Sequence, residues 1–162
     1  MIRKRLTPKQ ALERLEDTCI RGEHSTGEIL EKLFRWGIAE DDRNAIVKSL
    51  VKNRFVDDSR FARAFVSDRM AFAHWGRRKI AAALTVKRVA RDIAADAIAE
   101  IDEAEYYRIL FNVMSARLRH SGLPESKEEY MKLIRHGVQR GFETDLVVKA
   151  LKEAIHKSED VE

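Results

Sequence analysis

The sequence predicts an all-α chain of about nine helices, built as tandem repeats of three-helix units in an elongated, curved array. Three observations predict it. Apolar residues recur at helical spacing nearly everywhere, and no convincing alternating stretch is found. Seven glycines and two prolines in 162 residues are too few for the many turns of a sandwich or barrel. Finally, Ala45-Ile46-Val47-Lys48-Ser49-Leu50 matches Leu146-Val147-Val148-Lys149-Ala150-Leu151, and each hexamer follows a Gly-apolar turn, Gly37-Ile38 or Gly141-Phe142.

The helices are expected at 8–21, 26–36, 42–54, 58–73, 77–86, 90–101, 103–120, 127–140 and 144–157. Capping boxes signal three of the starts: Thr7-Pro8-Lys9-Gln10, Ser25-Thr26-Gly27-Glu28 and Ser126-Lys127-Glu128-Glu129. Asp57-Asp58 precedes a fourth helix and can cap it with carboxylates that also suit the helix dipole. Ladders such as Ile29, Leu30, Leu33, Phe34 and Val147, Leu151, Ile155 supply the buried faces. In helix 58–73, Phe61, Phe65 and Phe72 share a face read as core, while Arg60, Arg63 and Ser67 share another. The middle copy of the hexamer, Ile93 to Ile98, follows Arg88-Val89, so copies recur at 48 and 53 residues, a period that suits three helices. The expected organisation is 1–56, a first repeat with an N-terminal extension; 57–102, a basic second repeat; and 103–162, a third.

Hydrophobic residues make up 44% of the chain, enough for a core, but 36% are charged against about 25% in an average domain. The net charge of +4 is unevenly spread. Residues 53–91 carry ten Lys/Arg and three Asp/Glu, between a near-neutral head and an acidic tail. Such a block points to a polyanionic partner. Arg77, Arg78 and Lys79 open one helix and Lys87, Arg88 and Arg91 surround the start of the next, the end where cations oppose the dipole. Breaking a local rule without compensation marks a candidate functional surface. Trp75 is either an interface anchor or a packing residue between helices.

Catalytic and metal chemistry is poorly supported. Cys19 is the only cysteine, so no intrachain disulfide and no Cys-based zinc site can form; it reads as a small core residue. None of His24, His74, His120, His136 and His156 stands four residues from another. The glycines are dispersed, and no phosphate loop or nucleophile elbow is present. The expectation is no enzyme, no cofactor and no metal. The basic start, Met1 to Leu6, is followed by no apolar stretch, and no run approaches the ~20 residues of a membrane span. A soluble cytoplasmic monomer is expected.

Phe55-Val56-Asp57-Asp58-Ser59-Arg60-Phe61-Ala62 resembles the hallmark F-[LIV]-D-D-x-x-[FY]-A of the RecX regulatory proteins. Trp75-Gly76-Arg77-Arg78-Lys79-Ile80-Ala81-Ala82-Ala83-Leu84 resembles their G-x-x-[RK]-[IL]-x-x-x-L segment, and Ser25 to Leu33 with Gly37-Ile38 their opening repeat. The resemblance implies a non-enzymatic modulator of RecA. It would bind RecA and its filament on single-stranded DNA, inhibit strand exchange, ATP hydrolysis and repressor co-cleavage in DNA repair and the SOS response, and possess some direct DNA contact. Phe55, Asp57, Asp58, Phe61 and Ala62 then form a structural motif. The filament-facing side is expected to hold Arg60, Arg63, Trp75, Arg77, Arg78, Lys79, Lys87, Arg88 and Arg91, so that alanine at Arg77, Arg78 and Lys79 weakens inhibition with helix content intact. The sequence departs from the family at Lys87-Arg88-Val89, where Gly is usual before the apolar residue. An Arg in a left-handed cap is strained, so a continuous helix or a different cap is expected there.

The alternative is a helix-turn-helix protein acting on duplex DNA through residues 28–52. Asp41-Asp42 at the start of its second helix would face phosphates poorly, and only Arg43 and Asn44 stand where base-reading side chains belong.

Overall fold

The computed structural model describes residues 5–160. Its elements are α1 (Pro8–Arg21), α2 (Thr26–Arg35), α3 (Glu40–Lys52), α4 (Asp58–Ala71), α5 (Arg77–Val86), α6 (Arg91–Ala99), α7 (Glu103–Ser121), α8 (Lys127–Gln139) and α9 (Thr144–Glu159). There is no strand among the described residues, and no helix there is long and apolar enough to cross a membrane.

The caps explain most boundaries. Thr7 and Ser25 form complete capping boxes with Gln10 and Glu28. At α8 only half a box forms: Ser126 accepts from the Glu129 amide, while the Glu129 carboxylate reaches the Glu125 amide. Asp102 caps α7 through the Glu105 amide at 2.8 Å. At α4, Asp57 alone caps, accepting from the Arg60 amide at 3.0 Å. Asp58 is turned elsewhere.

Helices α2, α5 and α8 end the same way. The residue in the left-handed region is Gly37 (φ 73°), Arg88 (φ 56°) and Gly141 (φ 94°). Its amide bonds back three residues, to Phe34, Thr85 and Val138. The next amide bonds back five, to Leu33, Leu84 and Gly137. This is the paired closure of a Schellman turn. The expectation of a continuous helix or a different cap at Arg88 is therefore corrected. The turn is kept, and Arg takes the conformation that Gly takes in the other two. The apolar residue after it, Ile38, Val89 or Phe142, is buried in every case and anchors the turn.

Two compact units are distinguished. One comprises Met1–Phe65 with Leu84–Ala97, the other Val66–Ala83 with Ile98–Glu162. The core of the first is Ala11, Leu15, Ile29, Leu33, Ile38, Ile46, Leu50 and Val56, with Cys19 and Trp36 packed against it. In the second, α7 packs on α9 and α8, burying Leu110, Met114, Leu133, Phe142, Val147 and Leu151. Each such side chain contributes roughly 1.5–3 kcal/mol by leaving water.

Phe72 departs from the expected core face and is 82% exposed. The buried stripe of α4 runs through Phe61, Ala62, Val66 and Met70 and drifts around the helix. By the last turn it centres on Met70, and a residue two places on points to the opposite side.

Candidate interaction surface

In the first unit, the start of α2 is docked on two later segments. Thr26 donates to Asp58 twice, from its amide (2.8 Å) and its hydroxyl (2.6 Å). The Ser25 hydroxyl, fully buried, donates to the Lys87 carbonyl at 2.8 Å while accepting from the Glu28 amide. A Cβ on Gly27 would lie 2.5 Å from the Arg88 Cβ and 2.6 Å from the Lys87 carbonyl oxygen, so only glycine allows this approach. The Lys87 ammonium reaches Glu28 at 2.5 Å, and His24 lies 3.2 Å from the same carboxylate. Burial acts to raise the Glu28 pKa, but the Lys87 hydrogen bond and charge, with the Ser25 and His24 bonds, hold it below the usual range.

The second unit repeats the plan. The start of α5 is docked on the turn after α8: the Gly76 amide donates to the Arg140 carbonyl at 2.7 Å and the Arg78 amide to that of Gly141 at 3.1 Å. A Cβ on Gly76 would overlap the backbone of Gly141 and Phe142. The Arg77 amide takes Tyr106 Oη at 3.1 Å, and Tyr106 donates to Glu143 at 2.6 Å. The Arg77 guanidinium, 19% exposed, pairs with Glu143 at 3.2 Å and with Glu103, and stacks 3.9 Å from the Tyr106 ring centre. Burial and the bond to Glu143 raise the Tyr106 pKa. Burial also acts to raise Glu143, but the bonds from Tyr106 and Arg77 outweigh it and keep the carboxyl ionised below its ordinary range.

The nine candidate contact residues fall into three groups. Arg60, Arg77 and Lys87 are engaged within the fold. Arg60 pairs with Glu23 at 2.6 Å and donates to the Arg54 and Phe55 carbonyls. Trp75 is half-buried, with Arg69 and Lys79 over its ring at 4.9 and 4.5 Å. Arg63, Arg78, Arg88 and Arg91 are exposed and make no ion pair among the described residues. The first unit holds Arg63, Arg88 and Arg91; the second holds Arg78 and Lys79. Of the motif residues, Phe61 and Ala62 are buried, Phe55 is half-buried, Asp57 caps α4 and Asp58 holds Thr26. The long-range bonds of Ser25, Thr26, Tyr106 and Glu143 carried no local signal, since each spans 29 to 66 residues.

A family model described as RecX, second three-helix domain, matches residues 57–98, the stretch from Asp57 through α6. Regulatory protein RecX of Prosthecochloris aestuarii is 30% identical over 135 residues, covering 82% of this chain and 85% of its own length. The Vibrio campbellii protein of the same name is also 30% identical, over 132 residues, 81% of this chain and 83% of that one. The chain belongs to the RecX family. Family members from Lactobacillus differ in length: this RecX-family chain matches the L. johnsonii protein at 27% identity but spans 45% of it. It thus spans about half the length of the L. johnsonii and Lactobacillus gasseri relatives it matches. The fold agrees with a crystal structure of RecX from Lactobacillus salivarius, TM-score 0.81 at 17% identity, over 91% of this chain and 96% of that one.

Proposed function

We propose that this RecX-family chain binds RecA and its filament on single-stranded DNA and inhibits the recombinase, ATPase and co-protease activities of RecA. The observation that carries the reading is the family membership. The exposed, unpaired cations Arg63, Arg78, Arg88 and Arg91 support it by offering positive charge to a polyanionic filament at no cost in internal ion pairs. Trp75, held between covered and exposed, suits an anchor. The exposed acidic first turn of α3, Glu40-Asp41-Asp42, speaks against α3 reading a duplex groove.

The test is ATP hydrolysis by the cognate RecA on single-stranded DNA with this chain titrated at substoichiometric ratios. Strong inhibition is expected, weakened in R78A/K79A and in R63A/R91A with helix content unchanged. No inhibition by the folded chain at any ratio removes the reading. Arg77 belongs in a separate variant, because its loss strands Glu143 and Tyr106 and disturbs folding as well as any contact.

A further inference from the structure

We infer that a cleft in the second unit binds the phosphate of a nucleotide through Arg117, Arg140 and the imidazoles of His74, His120 and His136. The cleft is about 450 Å³ and is lined by the end of α4 and the turn after it, by α7, and by α8 with Arg140 at its C-terminal cap. That is the size range of small-molecule sites. Its charge is one-sided. The single acid in its wall, Glu105, is occupied by Arg108, which donates from Nε at 2.8 Å and Nη2 at 2.5 Å. Arg140 spends one nitrogen on the Ala73 carbonyl at 3.1 Å, and a guanidinium has further donors to offer. Arg117 is exposed and has no ion pair among the described residues.

The cleft therefore gathers two uncompensated guanidiniums and three imidazoles around an open volume. His136 registers the imbalance: burial first, then the charges of Arg140 and Arg117, push its pKa below the ordinary value. A phosphate, dianionic in a free monophosphate and monoanionic within a strand, supplies the missing countercharge, and guanidinium forks match its oxygens. The rest of the wall fits the remainder of a nucleotide. Ala71, Val113 and Ala116 give an apolar side for a base, and the Asn112 amide can both donate to and accept from its edge. The inference does not depend on RecA. The nucleotide has two sources, a free mononucleotide or one residue of a single DNA strand.

The histidine ring resonances of the full chain, titrated near pH 6.5, test it with deoxyadenosine monophosphate, inorganic phosphate and an oligothymidylate of about eight residues. A nucleotide should shift His120 and His136 saturably and raise the His136 pKa, so that binding tightens as pH falls. R117A should weaken binding about tenfold or more. R119A removes the same charge from α7 but lines a different groove, and should stay within about twofold. Saturation by the monophosphate identifies a free nucleotide; saturation by the oligomer alone identifies the strand; both support the site. No saturable shift with any probe, saturation by inorganic phosphate alone, or equal loss in R117A and R119A overturns it.

Discussion

The carboxylate of Asp58 holds both polar groups of Thr26, 32 residues earlier in the chain, at 2.6 and 2.8 Å. Thr26 is the first residue of α2, so an acid that opens α4 supplies charge and hydrogen bonds to the N-terminus of another helix. Asp57 meanwhile caps α4. The two adjacent acids thus perform separate tasks, and neither substitutes for the other.

Removing Asp58 should be costly. D58A leaves the Thr26 amide and hydroxyl without their acceptor, and bonds to charged groups contribute roughly 1.5–3 kcal/mol. We expect a loss of about 2 kcal/mol in urea unfolding. A double-mutant cycle with T26A should return a coupling of at least about 0.5 kcal/mol; additivity would contradict the clamp.

Gly76 should tolerate no side chain. Its φ is ordinary, so the constraint is space alone: the neighbours are backbone atoms of Gly141 and Phe142, which cannot rotate aside. G76A should lose about 3 kcal/mol or more, at the upper end of overpacking. Gly22, with nothing near its Cβ position, is the control, and G22A should change the thermal midpoint little.

Arg88 should behave in the opposite sense. A left-handed conformation costs a non-glycine residue roughly 1–2 kcal/mol, offset in part by the freedom glycine adds to the unfolded chain. R88G should gain up to about 1 kcal/mol in denaturant unfolding. Because Arg88 is also an exposed cation, the same variant should, on the proposed function, inhibit RecA less. Lower stability in R88G would show that the side chain packs favourably enough to outweigh the strain.

Stability should fall at both ends of the pH range. Glu28 and Glu143 have folded pKa values depressed below the ordinary 4.5. Their contribution is present above that value and is lost as pH drops through the folded one. Tyr107 is pushed up to about 12 by burial and its bond to Glu153, and Tyr106 is also raised. The phenols contribute fully below the ordinary value of 10 and lose that contribution as pH climbs through their folded values. Unfolding free energy measured from pH 3 to 11 should show a plateau between these limits. E143Q should flatten the acid limb, and a limb unchanged in E143Q would assign it to other carboxylates.

The helices and two of the three matching turns were legible in the sequence because they rest on local signals: caps, apolar spacing and Gly-apolar pairs. Arg88 was legible as an anomaly, yet its resolution was not. Whether the turn survives depends on what it touches, and Gly27 and Ser25 lie 61 and 63 residues away. The basic block was visible as composition. That Arg77 would be half-enclosed by Glu103, Glu143 and Tyr106, while Arg78 beside it stays open, follows from long-range packing. The cleft around Arg117 and Arg140 was hidden for the reverse reason. It lies in the stretch with an acidic balance, where counting charges along the chain averages away a local excess.

The division of the chain also bears on its synthesis. The first unit is closed by residues 84–97, which dock on the start of α2 some sixty residues earlier. A nascent chain that ends after α3 exposes Ser25, Gly27 and Thr26 to water, with no Asp58 or Lys87 yet made. Translation at about 5–20 residues per second leaves that edge open for several seconds. Co-translational folding of this chain is therefore expected to lag its helices. Secondary structure forms as each segment emerges, while the docked edge waits for the turn at Arg88.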